Sequence, residues 1–363
     1  MIHLERSGNA PLSIHLTVAN TDLVMQAIVG QVVNAPVELR AWCMLIKTLF
    51  NHSDRIHRLA FVLGGISGDD PSAAFILSTF RHSFTSLRHL SLSTPQSPHE
   101  VLDLSIFPIH SFTLHQPCRS DNFFRWHTLP LSQITELGLL DVTPQVLLMF
   151  LPRFPNLMVA KLRICYSHSP HSDLSRATRL LLPHLHTLEI RYIDEWESDD
   201  LFLALEILVL PALTHFSLIV KEDSSVCMFV QQRSVYPAMQ HLLEHVRVLR
   251  MTRVPFDICH IPQLLAKLRS VAELAITQLQ VGSIPAAASI STVVLKELSK
   301  EGIVPQLRSL TIVVPKEPED GLLEKMRESR SDVLRSVDIK VQMDDKYRLG
   351  MMVVQNMAEE FVP

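Results

Sequence analysis

The sharpest chemical signature in the chain is His241-Leu-Leu-Glu244-His245. Two histidines four residues apart share one face of an α-helix. There both imidazoles can bind zinc while the glutamate activates a water, the arrangement of a hydrolytic metal centre. Composition sets its weight. With 18 histidines in 363 residues, a chance HxxEH arises in roughly 0.05 chains of this make-up. The next residue, Val246, opens a strand motif. That puts the five residues on a short return helix, with Leu242 and Leu243 turned to the core and the histidines at the rim. A zinc hydrolase using His241, Glu244 and His245 is the weakest of three functional readings.

Other constellations are weaker. Cys165, His168 and His171 have a loose metal-like spacing but no fourth ligand nearby, and a Ser/Pro-rich loop accounts for them. The run Gly64-Gly65-Ile66-Ser67-Gly68-Asp69 could fold into an anion nest, yet Asp69 and Asp70 would repel phosphate, so a turn is the better reading. No GxSxG occurs, and 18 histidines would license almost any triad chosen by spacing. The reading is therefore of a protein that is not an enzyme, with no catalytic residues, no metal and no cofactor.

The bulk composition supports an ordered core: 47% hydrophobic residues and 19% charged. A formal charge of −4 lacks the basic surplus of a nucleic-acid binder. Cys43, Cys118, Cys165, Cys227 and Cys259 are odd in number and form no CxxC pair, which points to a reducing compartment, cytoplasmic or nuclear. The longest uncharged stretch, 274–295, is broken by Pro285 and several polar residues, so no membrane association is expected.

What positions any site here is a repeat. The pattern LxxLxL recurs as IHRLAF (56–61), LRHLSL (87–92), IHSFTL (109–114), ITELGL (134–139), LMVAKL (157–162) and LHTLEI (185–190). It continues as LTHFSL (213–218), VRVLRM (246–251), VAELAI (271–276), LRSLTI (307–312) and LRSVDI (334–339). Eleven copies start 22 to 36 residues apart. Within each, the fourth and sixth residues alternate with polar ones and so share one face of a strand, and the first enters the same core from the preceding turn. One such strand cannot bury its leucines alone. Stacked copies form a parallel sheet with a continuous core. Pro155, Pro183, Pro211 and Pro305 precede four copies by two residues, where they end a helix and extend the chain. Stretches 143–151, 292–302 and 321–334 read as return helices, the first capped by Thr143 and the second closed by Gly302. The ninth position is Asn in none of the copies, and only Cys165 suits it, so the asparagine ladder of a regular horseshoe is missing.

LERSGNAPLSIHL (4–16), NHSDRIHRLAFVL (51–63), FPNLMVAKLRI (154–164), LPHLHTLEI (182–190) and LPALTHFSL (210–218) resemble the leucine-rich-repeat region of fungal F-box proteins of the basidiomycete type. The resemblance covers nearly the whole chain. It implies a repeat region that selects the protein to be ubiquitinated, while an F-box docks a Skp-type adaptor of a cullin–RING ligase. The opening motif begins at Leu4, which leaves no room for an F-box, so the Skp-type partner is expected only if an F-box is restored upstream.

The fold expected is α/β, a leucine-rich-repeat solenoid in the form of an irregular horseshoe, with a parallel inner sheet and outer helices or arcs. It spans residues 1–343, with 1–55 as an N-terminal capping region and 344–363 as a C-terminal capping helix. In the cap, Leu12, Ile14 and Leu16 alternate inward as a first strand. The third, fifth and seventh positions of each copy face away from the core onto the concave surface. They are mild towards the ends and charged in the middle: Glu136, Lys161, Arg163, Glu189, Arg191, His215 and Arg250. These are the candidate partner-binding residues, since arginine is favoured in interfaces and pairs bidentately with carboxylates. The function read is protein–protein recognition, as the substrate-selecting part of an F-box-type subunit or as a free-standing scaffold.

Overall fold

Each of the eleven copies forms a strand. The computed structural model describes residues 8–18, 44–45, 48–49, 51–63, 84–93, 107–115, 130–143, 147–148, 150–164, 179–192, 205–220, 236–252, 258–277, 290–314 and 321–341. They belong to two compact units: 1–142 with 154–157 and 358–363, and 143–153 with 158–357. The first unit holds β1 (Leu12–Val18), β2 (Ile56–Leu63), β3 (His89–Ser93), β4 (Ser111–His115) and β5 (Glu136–Val142), paired in that order and all parallel.

The second unit holds β6 (Val159–Ile164), β7 (Leu180–Leu181), β8 (Thr187–Tyr192), β9 (Leu208–Val209), β10 (His215–Val220), β11 (Val248–Thr252), β12 (Glu273–Thr277), β13 (Ser309–Val314) and β14 (Ser336–Val341). Here the order is β6-β8-β10-β11-β12-β13-β14, again all parallel, while β7 and β9 pair with each other apart from it. The twelve parallel sheet strands, five in one unit and seven in the other, make an α/β solenoid of the leucine-rich-repeat kind.

The periodicity is the cause. Ile109, Phe112 and Leu114, the first, fourth and sixth residues of one copy, are buried, and so are Leu213, Phe216 and Leu218 of another. The same holds in every copy from LRHLSL (87–92) to LRSLTI (307–312). Each fully buried Leu, Ile or Phe contributes about 1.5–3 kcal/mol, so three per copy give every strand a reason to stack. β1 keeps the expected alternation, with Leu12 and Ile14 half-buried, Leu16 buried, and Ser13 and His15 exposed. A register shift lies between Leu12 and Ser13 where it meets β2.

The turn before each strand differs from expectation. Pro155, Pro183, Pro211 and Pro305 each occupy the second residue of a four-residue turn. The turn is closed by the first leucine of the copy: Leu157 N–H donates to Phe154 O, Leu185 to Leu182 O, Leu213 to Leu210 O and Leu307 to Val304 O. Proline fits there because its fixed φ suits that turn position. Phe84–Leu87, Leu243–Val246 and Leu268–Val271 close the same way without proline. The residue three before the first leucine is buried in all seven cases, so the repeat carries a fourth apolar position that the LxxLxL pattern omits.

Without an asparagine ladder, the backbone itself links successive copies. The carbonyl at the second position accepts the N–H groups at the second and third positions of the next copy. His110 O takes Thr135 and Glu136, Met158 O takes His186 and Thr187, and Arg247 O takes Ala272 and Glu273, at 2.8 to 3.0 Å. Backbone groups at the strand entrances are thereby satisfied.

Helices with described bounds in the return segments are α1 (Tyr236–Met239), α2 (Ile261–Lys267), α3 (Ile290–Leu298) and α4 (Leu322–Glu328). They are shorter than the sequence stretches imply. α3 stops at Leu298, so Gly302 (φ 78°) serves the following turn and does not close the helix. The expected helix at 143–151 begins as read, with Leu147 N–H on Thr143 O. The loops at 64–70 and 165–171 and the capping helix at 344–363 lie outside the described residues. Among the described residues no helix is long and apolar enough to cross a membrane.

Candidate functional site

Strand register turns scattered side chains into rows. In the second unit the fifth positions align as Lys161, Glu189, Ser217, Arg250, Ala275, Thr311 and Asp338. The seventh positions align as Arg163, Arg191, Ile219, Thr252, Thr277, Val313 and Lys340. Neighbours in a row sit about 4.8 Å apart, and the rows face away from the leucines. Lys161, Arg163, Glu189 and Arg191 are half-buried, while His215 and Arg250 are exposed.

Glu189 is the hub of this patch. Its Oε1 accepts Arg191 Nε at 2.7 Å, and Lys161 is its register partner on β6. Arg163 and Arg191 are register partners as well. A carboxylate between cations holds the guanidinium in a fixed orientation, which lowers the entropy cost of presenting it to a partner. His215 Nδ1 meets Thr214 Oγ1 at 2.9 Å. Six of the seven sequence-derived residues thus lie on one sheet face of the second unit. The seventh, Glu136, belongs to the first unit, in the row Ser13, Arg58, His89, Ser111, Glu136.

The HxxEH segment does not form a return helix. α1 ends at Met239, a 3-10 turn covers Gln240–Leu242, and Glu244 and His245 lie in the turn that opens the next copy. The reason is local. Leu243 and Val246 must close that turn, N–H to carbonyl at 3.3 Å, so the α-helix cannot run on through Glu244. His241 Nε2 bonds Leu208 O at 2.8 Å, which fixes the proton on Nε2 and satisfies a carbonyl of β9. All three residues are exposed and Leu242 and Leu243 are buried, as expected. Among the described residues no group of three or more His, Cys, Asp or Glu is arranged to hold a metal.

Two features escaped the sequence reading. One is the β7–β9 pair, too short to leave a periodic signal. The other is Arg330, buried on the helical side. Its Nη1 donates to Val304 O at 2.8 Å, its Nη2 to Ile303 O and its Nε to Leu298 O at the end of α3. Burial holds its pKa below the ordinary arginine value. This guanidinium also grips Val304, a β-branched residue at φ 45°.

No family model matches the chain, and no curated protein matches it. A solved structure of a Bacteroides fragilis protein aligns with 82% of this chain and 68% of its own, at 13% identity and a TM-score of 0.38. A likeness at that level carries no argument about what the chain does.

Proposed function

We propose that this protein recognises another protein on the polar sheet face of its second unit, without catalysing a reaction. The observation that carries this reading is the pair of aligned rows in which Lys161 and Arg191 flank Glu189, Arg163 pairs with Arg191 and Arg250 follows two strands on, over a sheet backed by buried leucines. Seven strands at about 4.8 Å give a face roughly 30 Å long, enough for a protein interface of standard size. The excess of cations favours a partner with an acidic surface.

The finer reading rests on the resemblance alone: the face selects substrates for a cullin–RING ligase, as the repeat region of F-box proteins does. The alternative is a free-standing scaffold. Reversing Arg163, Arg191 and Arg250 to Glu together tests the face, with partners compared by quantitative pull-down. The reading expects the partner set to be lost; an unchanged set refutes it. Co-purification of a Skp-type adaptor with the full-length gene product separates ligase subunit from scaffold.

A further inference from the structure

The first unit carries a second polar surface of different chemistry. β2 contributes His57 and Arg58, β3 contributes His89, and Arg88 and His110 stand just before β3 and β4. These occupy second and third positions on adjacent strands, with Arg58 and His89 in register. Arg58, Arg88 and His110 are exposed, and His57 and His89 are half-buried. Neither Arg58 nor Arg88 takes part in an ion pair among the described residues. The backbone orients the set: His57 Nδ1 bonds Arg55 O at 2.9 Å, His110 Nδ1 bonds Pro108 O at 2.8 Å, and Arg88 Nη1 donates to Pro108 O at 3.1 Å. Both imidazoles therefore carry a proton on Nδ1 and keep Nε2 available.

We propose that this Arg/His surface of the first unit docks an acidic, extended peptide segment of a partner protein. Three strands at about 4.8 Å spread the cationic groups over roughly 10 Å. That is longer than one phosphate or carboxylate and equals three to four residues of extended chain at about 3.3 Å each. The two guanidiniums supply fixed charge and forked donors for carboxylates. The inference stands apart from the second-unit face and survives its failure.

Docking is coupled to protonation through His89. Facing it are Arg58 and His57 from β2, His110 from the start of β4, and Glu136 on β5. Burial first, and then Arg58, hold its pKa below the ordinary histidine value, against the pull of Glu136. His15 lies on β1 in the row that continues through Ala60 and Ser91. A carboxylate arriving beside Arg58 and His89 favours the imidazolium, so docking takes up a proton and tightens as pH falls.

The test uses the full chain and fluorescence anisotropy with a labelled octapeptide of alternating Asp and Glu at low salt. An Asn/Gln octapeptide is the neutral control and oligothymidine the nucleic-acid control. The proposal expects the acidic peptide to bind and the neutral one not to. Measured in a background that already carries the Arg163, Arg191, Arg250 reversal, so that the second-unit cations do not contribute, the double variant Arg58→Glu with Arg88→Glu should weaken binding at least tenfold. Affinity should rise severalfold from pH 7.5 to 5.5, and less so in His89→Gln. If the charge reversals unfold the protein, Arg58→Gln with Arg88→Gln replaces them, with at least a fivefold loss expected. Equal binding of the neutral peptide, no binding at millimolar acidic peptide, insensitivity to the first-unit variants, or tighter binding of oligothymidine overturns it.

Discussion

In the first unit Phe112 and Leu114 fill the fourth and sixth positions of the copy that forms β4; in the second, Phe216 and Leu218 fill the same positions of the copy that forms β10. The faces opposite differ. The second unit presents arginines held by a carboxylate, Arg191 on Glu189 at 2.7 Å. The first presents arginines among imidazoles, with Glu136 the carboxylate that acts on His89. The interior of a repeat is constrained by stacking and must recur, whereas the outward positions are constrained only by solvent and partners. One scaffold can therefore carry two surfaces of different charge behaviour.

The claim of a shared interior is broken most directly in the core. Phe112→Ala and Phe216→Ala should each cost about 3–5 kcal/mol, the range for a fully buried aromatic. Urea unfolding followed by hydrogen exchange would read both. A loss under about 1 kcal/mol in either unit would show that its strands do not share the stacking read for the other. Next in size is Arg330→Met, which touches the second unit alone. It strands the carbonyls of Leu298, Ile303 and Val304, and each unsatisfied buried carbonyl costs roughly 1–3 kcal/mol. A net loss near 3 kcal/mol is expected. Arg330→Lys should recover little, because an ammonium lacks the planar fork that reaches three acceptors. Full recovery by lysine would reduce the clasp to a simple charge.

A smaller effect separates the two polar faces. Gly138, at the fifth position of the copy that forms β5, has no room for a side chain: a Cβ there would stand 2.8 Å from Thr113 Oγ1 and 2.9 Å from its Cγ2. Gly138→Ala should cost about 1–3 kcal/mol by overpacking. Adding Thr113→Ala should return most of it, and thermal melts of the four proteins of the cycle give the coupling directly. Ala275, at the fifth position of the copy that forms β12, between Arg250 and Thr311, already carries the methyl that Gly138 lacks. Ala275→Gly should cost no more than about 1 kcal/mol, from added freedom in the unfolded chain.

Much of the fold was legible in the sequence because burial on a strand has period two, and eleven copies repeat it. The seams between copies were not. The buried residue three before the first apolar residue of seven copies is cut off by turn residues, so it joins no periodic pattern. Arg330 hides because a guanidinium reads as surface until three backbone carbonyls converge on it. The HxxEH segment misleads because its spacing presumes an α-helix, while Val246 requires a tight turn. The candidate face was legible in part. The third, fifth and seventh positions yielded six residues of one surface, since register aligns what spacing only enumerates. The first-unit Arg/His set lies at second and third positions, where His57, Arg58, Arg88 and His89 are neighbours across strands but not along the chain. Spacing also could not tell that Glu136 belongs with them.

The smallest expected effect sharpens the contrast most selectively. His89 has its pKa held below 6.5 in the folded protein, by burial first and by Arg58 second. The unfolded chain then takes up a proton at higher pH than the folded one, so the group costs stability as pH falls through about 6.5. The cost grows until the folded-state pKa is passed and is constant below it. Above pH 7.5 both states are neutral and His89 contributes nothing. Subtracting the stability–pH profile of His89→Gln from that of the parent should therefore leave a curve that is flat above pH 7.5 and falls as pH drops through about 6.5. In the Arg58→Gln background the same difference should shrink, since one cause of the shift is gone, but persist, since burial remains. A difference curve that rises towards acid pH would mean that Glu136 outweighs burial and Arg58 together, and that the first-unit surface is poised to hold its proton before any acidic segment arrives.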